Sequence, residues 1–117
     1  MHILFIADPL DSFKIYKDTT FAMMREAAKR GHTISSCEVQ DMRWTQSTGV
    51  VADTQVIQLT GQADIDWYEA SPLQAIPINA FDAVIMRKDP PFDSEYFYAT
   101  HLLEQAEREG AKVFNSP

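Results

Sequence analysis

The uninterrupted apolar run Ile3-Leu4-Phe5-Ile6-Ala7, closed by Asp8-Pro9, constrains this chain more than any other feature. A strand with one wet face alternates apolar and polar residues. A run that is apolar at every position needs cover on both faces, the setting of a parallel sheet between helices. After a polar stretch, Phe21, Met24 and Ala28 recur at helical spacing. Asp18 or Thr19 is suited to cap this helix, Lys29 and Arg30 place cations at its negative end, and Gly31 stops it. His32 to Val39 then supplies a second strand, completing a β-α-β unit. The same grammar returns late in the chain. Ala83-Val84-Ile85-Met86 reads as a buried strand and Asp89-Pro90-Pro91-Phe92-Asp93 as a turn. Residues 94–109 carry an apolar stripe at Tyr96, Ala99, Leu103 and Ala106, with Asp93 as N-cap and Gly110 as the stop. Ala111-Lys112-Val113-Phe114 closes the second unit.

Between the units, Met42 to Thr60 has a turn-prone Gln46-Ser47-Thr48-Gly49 between β-branched flanks, which predicts an inserted antiparallel hairpin. From Gly61 to Asn79 the pattern weakens into loop with a short strand or helical turn, and Trp44, Trp67 and Tyr68 are expected to pack onto the domain. With 117 residues the chain has the length of one domain, and its fold class is α/β with a mostly parallel sheet.

Charge and composition narrow the function classes. Ten Lys and Arg against seventeen Asp and Glu give a net charge of −7, which opposes approach to nucleic acid and to anionic membrane surfaces. No apolar run approaches the roughly 18 residues of a membrane span, and the lone Cys37 sits in a core strand, so a cytoplasmic, reducing setting is expected. His2, His32 and His101 are too scattered for a metal set. No glycine precedes Gly31, which excludes a phosphate-cradling glycine loop after the first strand.

In sheets of this class ligands gather beyond the carboxyl ends of parallel strands. Two loops meet that condition. The first, residues 8–20, holds Asp8, Asp11, Lys14, Lys17 and Asp18; the second is Arg87-Lys88-Asp89-Pro90-Pro91-Phe92-Asp93, stiffened by two adjacent prolines. Rigid loops of mixed charge suit a zwitterion such as an amino acid or peptide, because cations grip its carboxylates while a carboxylate answers its ammonium. Plain structural roles compete with this reading: Asp93 as a helix cap, Asp8-Pro9 as a turn opener, Arg87 and Lys88 as a solvated strand end.

The run Val84-Ile85-Met86-Arg87-Lys88-Asp89-Pro90-Pro91-Phe92-Asp93, continuing through Tyr98-Ala99-Thr100 to Leu103-Glu104, resembles the N-terminal domain of the bacterial glutathione synthetase family. The opening Ala7-Asp8-Pro9-Leu10 and Lys17-Asp18-Thr19-Thr20-Phe21-Ala22-Met23-Met24 is similar to that family as well, and Asn115-Ser116-Pro117 matches its Asn-x-Pro exit. The resemblance implies a Rossmann-like three-layer preATP-grasp domain over residues 1–117, with the ATP-grasp domains outside this chain. It implies a parent ligase that joins γ-glutamylcysteine to glycine with ATP and Mg²⁺, both bound mainly by those other domains, and an assembly into homo-oligomers. This segment alone is then not expected to be catalytic. Its contribution is one wall of the cleft: Arg87 and Lys88 toward substrate carboxylates or developing phosphate charge, Asp8 or Asp89 toward an ammonium, and Lys17, Asp18 and Thr19 at the start of the helix. Two other readings compete: the N-terminal half of a two-domain glycosyltransferase, and a stand-alone binding or oligomerisation module.

Overall fold

A computed structural model describes residues 1–13, 18–61, 67–88 and 93–115. The strands are β1 (His2–Ala7), β2 (Thr33–Cys37), β3 (Met42–Thr45), β4 (Gly49–Leu59), β5 (Tyr68–Ala70), β6 (Gln74–Pro77), β7 (Ala83–Arg87) and β8 (Val113–Asn115), with helices α1 (Thr19–Lys29) and α2 (Ser94–Arg108). They form one curled sheet in the order β3-β4-β2-β1-β7-β8, with β5 and β6 also paired to β4. The strands β2, β1, β7 and β8 are mutually parallel. As its composition demands, β1 lies inside this parallel group, flanked by β2 and β7.

Alternation along β1 divides the core into two layers. Leu4 and Ile6 pack with Ala99, Leu102, Leu103 and Ala106 of α2, whereas Ile3 and Phe5 pack with Met24 and Ala27 of α1. The helices therefore cover opposite faces, giving helix, sheet, helix.

The helix boundaries follow the sequence signals. The Asp18 side chain accepts from Phe21 N at 3.1 Å and that of Asp93 from Tyr96 N at 3.1 Å, each satisfying an amide that the first helical turn leaves without a partner. At the end of α1, His32 N donates to Ala27 O and Gly31 N to Ala28 O, a Schellman motif that requires the left-handed φ of +85° at Gly31.

The insertion is larger than a hairpin. The eleven-residue β4 pairs with β3 and β6 along its first half and with β2 and β5 along its second, so one strand serves two sheet regions. The weakly patterned stretch before Asn79 contains two short strands, β5 and β6, and leads into a 3-10 turn at Ile78–Ala80. Trp67 is fully buried while Trp44 is half exposed, so only one of the two tryptophans packs inward as expected. The second strand ends at Cys37, and Val39 is buried on a following 3-10 turn instead of in the strand. Among the described residues no helix is long and apolar enough to cross a membrane.

Candidate functional site

The chain leaves β1 through α1 toward β2 on one side and leaves β7 through α2 toward β8 on the other. The gap between the carboxyl ends of β1 and β7 is thus the point where the winding reverses, and both helices begin there with their positive ends. In register, Ala7 stands opposite Arg87, so Asp8 and Lys88 are the first residues past adjacent strand ends. Lys88 Nζ lies 2.7 Å from Asp8 Oδ1, with both side chains about one-fifth exposed. A charge-assisted bond of this kind contributes roughly 1.5–3 kcal/mol. The described ends of the two loops, Asp8 and Pro9 of one and Lys88 and Asp93 of the other, line a crevice of about 90 Å³ together with Glu38.

Arg87 is placed by strand alternation. Val84 and Met86 belong to the α2-side cluster and Ala83 and Ile85 pack on the α1 side, which puts Arg87 toward α1. There its Nε donates to Thr20 Oγ1 at 3.1 Å, and Thr20 is buried in the first turn of α1. Of the other expected residues, Asp18 spends a carboxylate oxygen on capping and Thr19 is exposed as the first residue of α1. Lys17 and Asp89 lie outside the described residues, as do Lys14 and the two prolines of the corner. Asp8 and Lys88 are thus brought into contact, Arg87 joins the start of α1, and Asp18 has a structural task.

Of the residues lining the next cavity, Asp8 and Asp11 belong to the first expected loop, whereas Ser36, Glu38 and Asp41 escaped sequence reasoning. A pocket of about 250 Å³ shares Asp8 and Glu38 with the crevice and adds Asp11, Ser36, Asp41 and Tyr68. Glu38 and Asp41 form a capping box on the 3-10 turn after β2, with Glu38 N donating to Asp41 Oδ2 at 2.8 Å. Their three-residue spacing is the signal that could have marked this turn as a strand end. Tyr68 Oη donates to Asp11 Oδ1 at 2.6 Å; partial burial first, then this bond and the Asp11 charge, push the phenol up to about 12. Beside it Trp67 stacks on Phe13 at 5.6 Å and meets Phe21 edge-on at 5.1 Å. The insertion thereby pins the loop that carries Asp8. Cys37 also borders the pocket, but burial and then Asp41, Glu38 and Asp53 push its thiol up, which keeps it protonated and unreactive. Among the described residues no three His, Cys, Asp or Glu side chains converge so as to hold a metal ion.

Comparison with known proteins identifies the family of the chain. The family described as prokaryotic glutathione synthetase, N-terminal domain, matches residues 1–117. Among curated proteins, the glutathione synthetase of Ralstonia nicotianae is 56% identical over 118 residues, covering 100% of this chain and 36% of that protein. The glutathione synthetase of Nitrosomonas europaea is 50% identical over 119 residues, 100% of this chain and 37% of that protein. That of Bordetella pertussis is 48% identical over 120 residues, 99% of this chain and 37% of that protein. The chain spans 36–37% of the length of these relatives.

Proposed function

The chain belongs to the prokaryotic glutathione synthetase N-terminal domain family, and on that premise we propose that it forms the substrate-facing wall of a ligase that joins γ-glutamylcysteine to glycine at the expense of ATP. The observation that carries this reading is the Asp8–Lys88 contact at 2.7 Å, which sets a carboxylate and an ammonium side by side beyond adjacent parallel strands. A peptide substrate presents both charges. Its carboxylate can take Asp8's place on Lys88 while its ammonium moves onto Asp8, so partners are exchanged and no charge is left unpaired in a partly enclosed site. Asp89 and Lys17 belong to the same two loops and are assigned to the same task. Arg87 is a positioning residue here, tying β7 to the start of α1 through Thr20, and Asp18 and Thr19 hold that helix start at the rim.

ATP and Mg²⁺ would supply activation of the substrate carboxyl as an acyl phosphate. The described residues do not fit that group, since they offer no converging metal ligands and the loop after β1 has no glycine. Nucleotide and metal are therefore assigned to the ATP-grasp domains of the parent enzyme. The same reading makes the enzyme cytoplasmic and homo-oligomeric, with exposed Phe97 and Tyr98 available for contact with another domain or copy.

The test is Lys88→Met in the enzyme that carries this chain, which keeps the apolar stem and removes the charge. The KM for γ-glutamylcysteine should rise about tenfold or more, the loss of one charge-assisted hydrogen bond, with the KM for ATP unchanged. Unchanged values for both would remove Lys88 from the substrate wall. Arg87→Ala with unaltered apparent affinity and turnover would likewise remove Arg87.

A further inference from the structure

The 250 Å³ pocket beside the crevice has a chemistry of its own. Asp8, Asp11, Glu38 and Asp41 stand in its walls, and no cationic side chain lines it among the described residues. Asp8 is compensated by Lys88, so the uncompensated negative charge comes from the other three. A ring of carboxylates alone need be no more than a solvated surface. The further observation is Ser36, on β2, which is 7% exposed and lines the same pocket. Its hydroxyl makes no hydrogen bond, although every fully enclosed side-chain nitrogen or oxygen among the described residues has a partner. The Ser36 oxygen is therefore not enclosed by protein: what exposure it has is toward the cavity. Its cross-strand neighbour Gln55 lines the pocket too and spends its amide nitrogen on Ser71 O at 3.0 Å, so what it can offer a ligand is its carbonyl oxygen. Leu10, Ala70 and Leu73 supply an apolar side.

From this arrangement we propose that the pocket is a binding site for a primary ammonium group carried on a short apolar stem. The carboxylates do not converge as metal ligands would. An ammonium asks for something different: separate acceptors for three N–H donors within a negative field. Ser36 and Gln55 provide neutral acceptors at the floor and Asp11, Glu38 and Asp41 provide the field, while the leucines and Ala70 take the stem. The site does not depend on which ligand the Asp8–Lys88 crevice takes, and its test is independent of ligase activity.

The probe is n-butylammonium, with 1-pentanol as its neutral counterpart of similar shape, titrated calorimetrically into the protein that carries this chain. Saturable binding of the ammonium is expected, with the alcohol weaker by about tenfold or more, as the loss of a charge-assisted bond requires. Asp11→Asn keeps an acceptor for Tyr68 while removing a charge, and it should weaken the ammonium by about fivefold or more; Ser36→Ala, which removes only the floor hydroxyl, should weaken it by about threefold. Thermal melts of both variants establish that they are folded, and either one alone suffices for the comparison. Absence of saturable heat for the ammonium, equal affinity for the alcohol, or unchanged binding in a folded variant would each overturn the proposal.

Discussion

The two faces of the sheet are closed by different means. On the α2 side, Leu4, Ile6, Val84 and Met86 meet a continuous aliphatic cluster that extends through Val50 and Ala52 of β4 to Ile78 and Phe81. The α1 side is closed by a smaller cluster capped by aromatic rings, with Trp67 at its centre between Phe13, Phe21 and Tyr68. The pocket of about 250 Å³ is bordered by Tyr68 from the aromatic side and by Cys37, which belongs to the α2-side cluster. A few large rings close the α1 side, so its integrity rests on fewer buried side chains than that of the α2 side.

The sharpest way to break this contrast is Trp67→Ala. Removing the fully buried ring should cost about 3–5 kcal/mol in denaturant unfolding, and a loss comparable to that of a surface substitution would show that the aromatic cap does not close the α1 side. Next comes Gly49→Ala, at the junction of β4 with the other face. Gly49 has φ +74°, and an added Cβ would lie 2.5 Å from Glu109 Oε1, so we expect about 1–3 kcal/mol of destabilisation. A neutral result would mean that the end of α2 moves aside freely.

Tyr68→Phe is expected to cost about 1 kcal/mol by removing the bond to Asp11. Burial first and then this bond hold the phenol in its neutral form, a contribution present in full below the ordinary tyrosine range and lost as pH climbs toward about 12. The variant should flatten this alkaline decline while leaving the α2 side untouched.

The smallest effect is the acid response of Glu109. Its carboxylate accepts from Val50 N at 2.9 Å and from Gln105 Nε2 at 3.1 Å, and these bonds, the Val50 amide first, hold its pKa below the usual carboxylate range. A depressed carboxylate stabilises the fold above its unfolded value, and that contribution fades as pH falls through the folded one. Glu109→Gln should show a shallower acid limb in stability against pH. An unchanged limb would detach this clamp from the α2 side.

Much of this architecture could be read in advance because local rules and the final packing agree. The unbroken apolar run of β1, the caps at Asp18 and Asp93 and the stop at Gly31 each act within a few residues, and each is found in place. The strands β5 and β6 were legible only as a loop with a short strand or helical turn, since strands of three and four residues, the second ending on Pro77, carry no periodicity and form because β4 offers edges on which to pair. Trp67 looked like one of several candidate packing residues. Its burial depends on Phe13 and Phe21, which are more than forty positions away. The site was legible in the same partial way: strand-end charge was visible in Asp8 and Lys88, and their contact follows from the pairing of β1 with β7. Glu38 and Asp41 were hidden because apolar Val39 suggested a longer strand, and strand alternation brings Arg87 to Thr20 in the first turn of α1, a contact that no local signal marks.

The central position of β1 has a consequence for how the chain is made. Its first neighbour, β2, is complete at Cys37, but its other neighbour begins only at Ala83. A nascent chain leaving the ribosome therefore carries its most apolar strand with one margin bare until residues 83–87 have emerged, and closure waits on a contact of long sequence separation, which is the slow and aggregation-exposed kind.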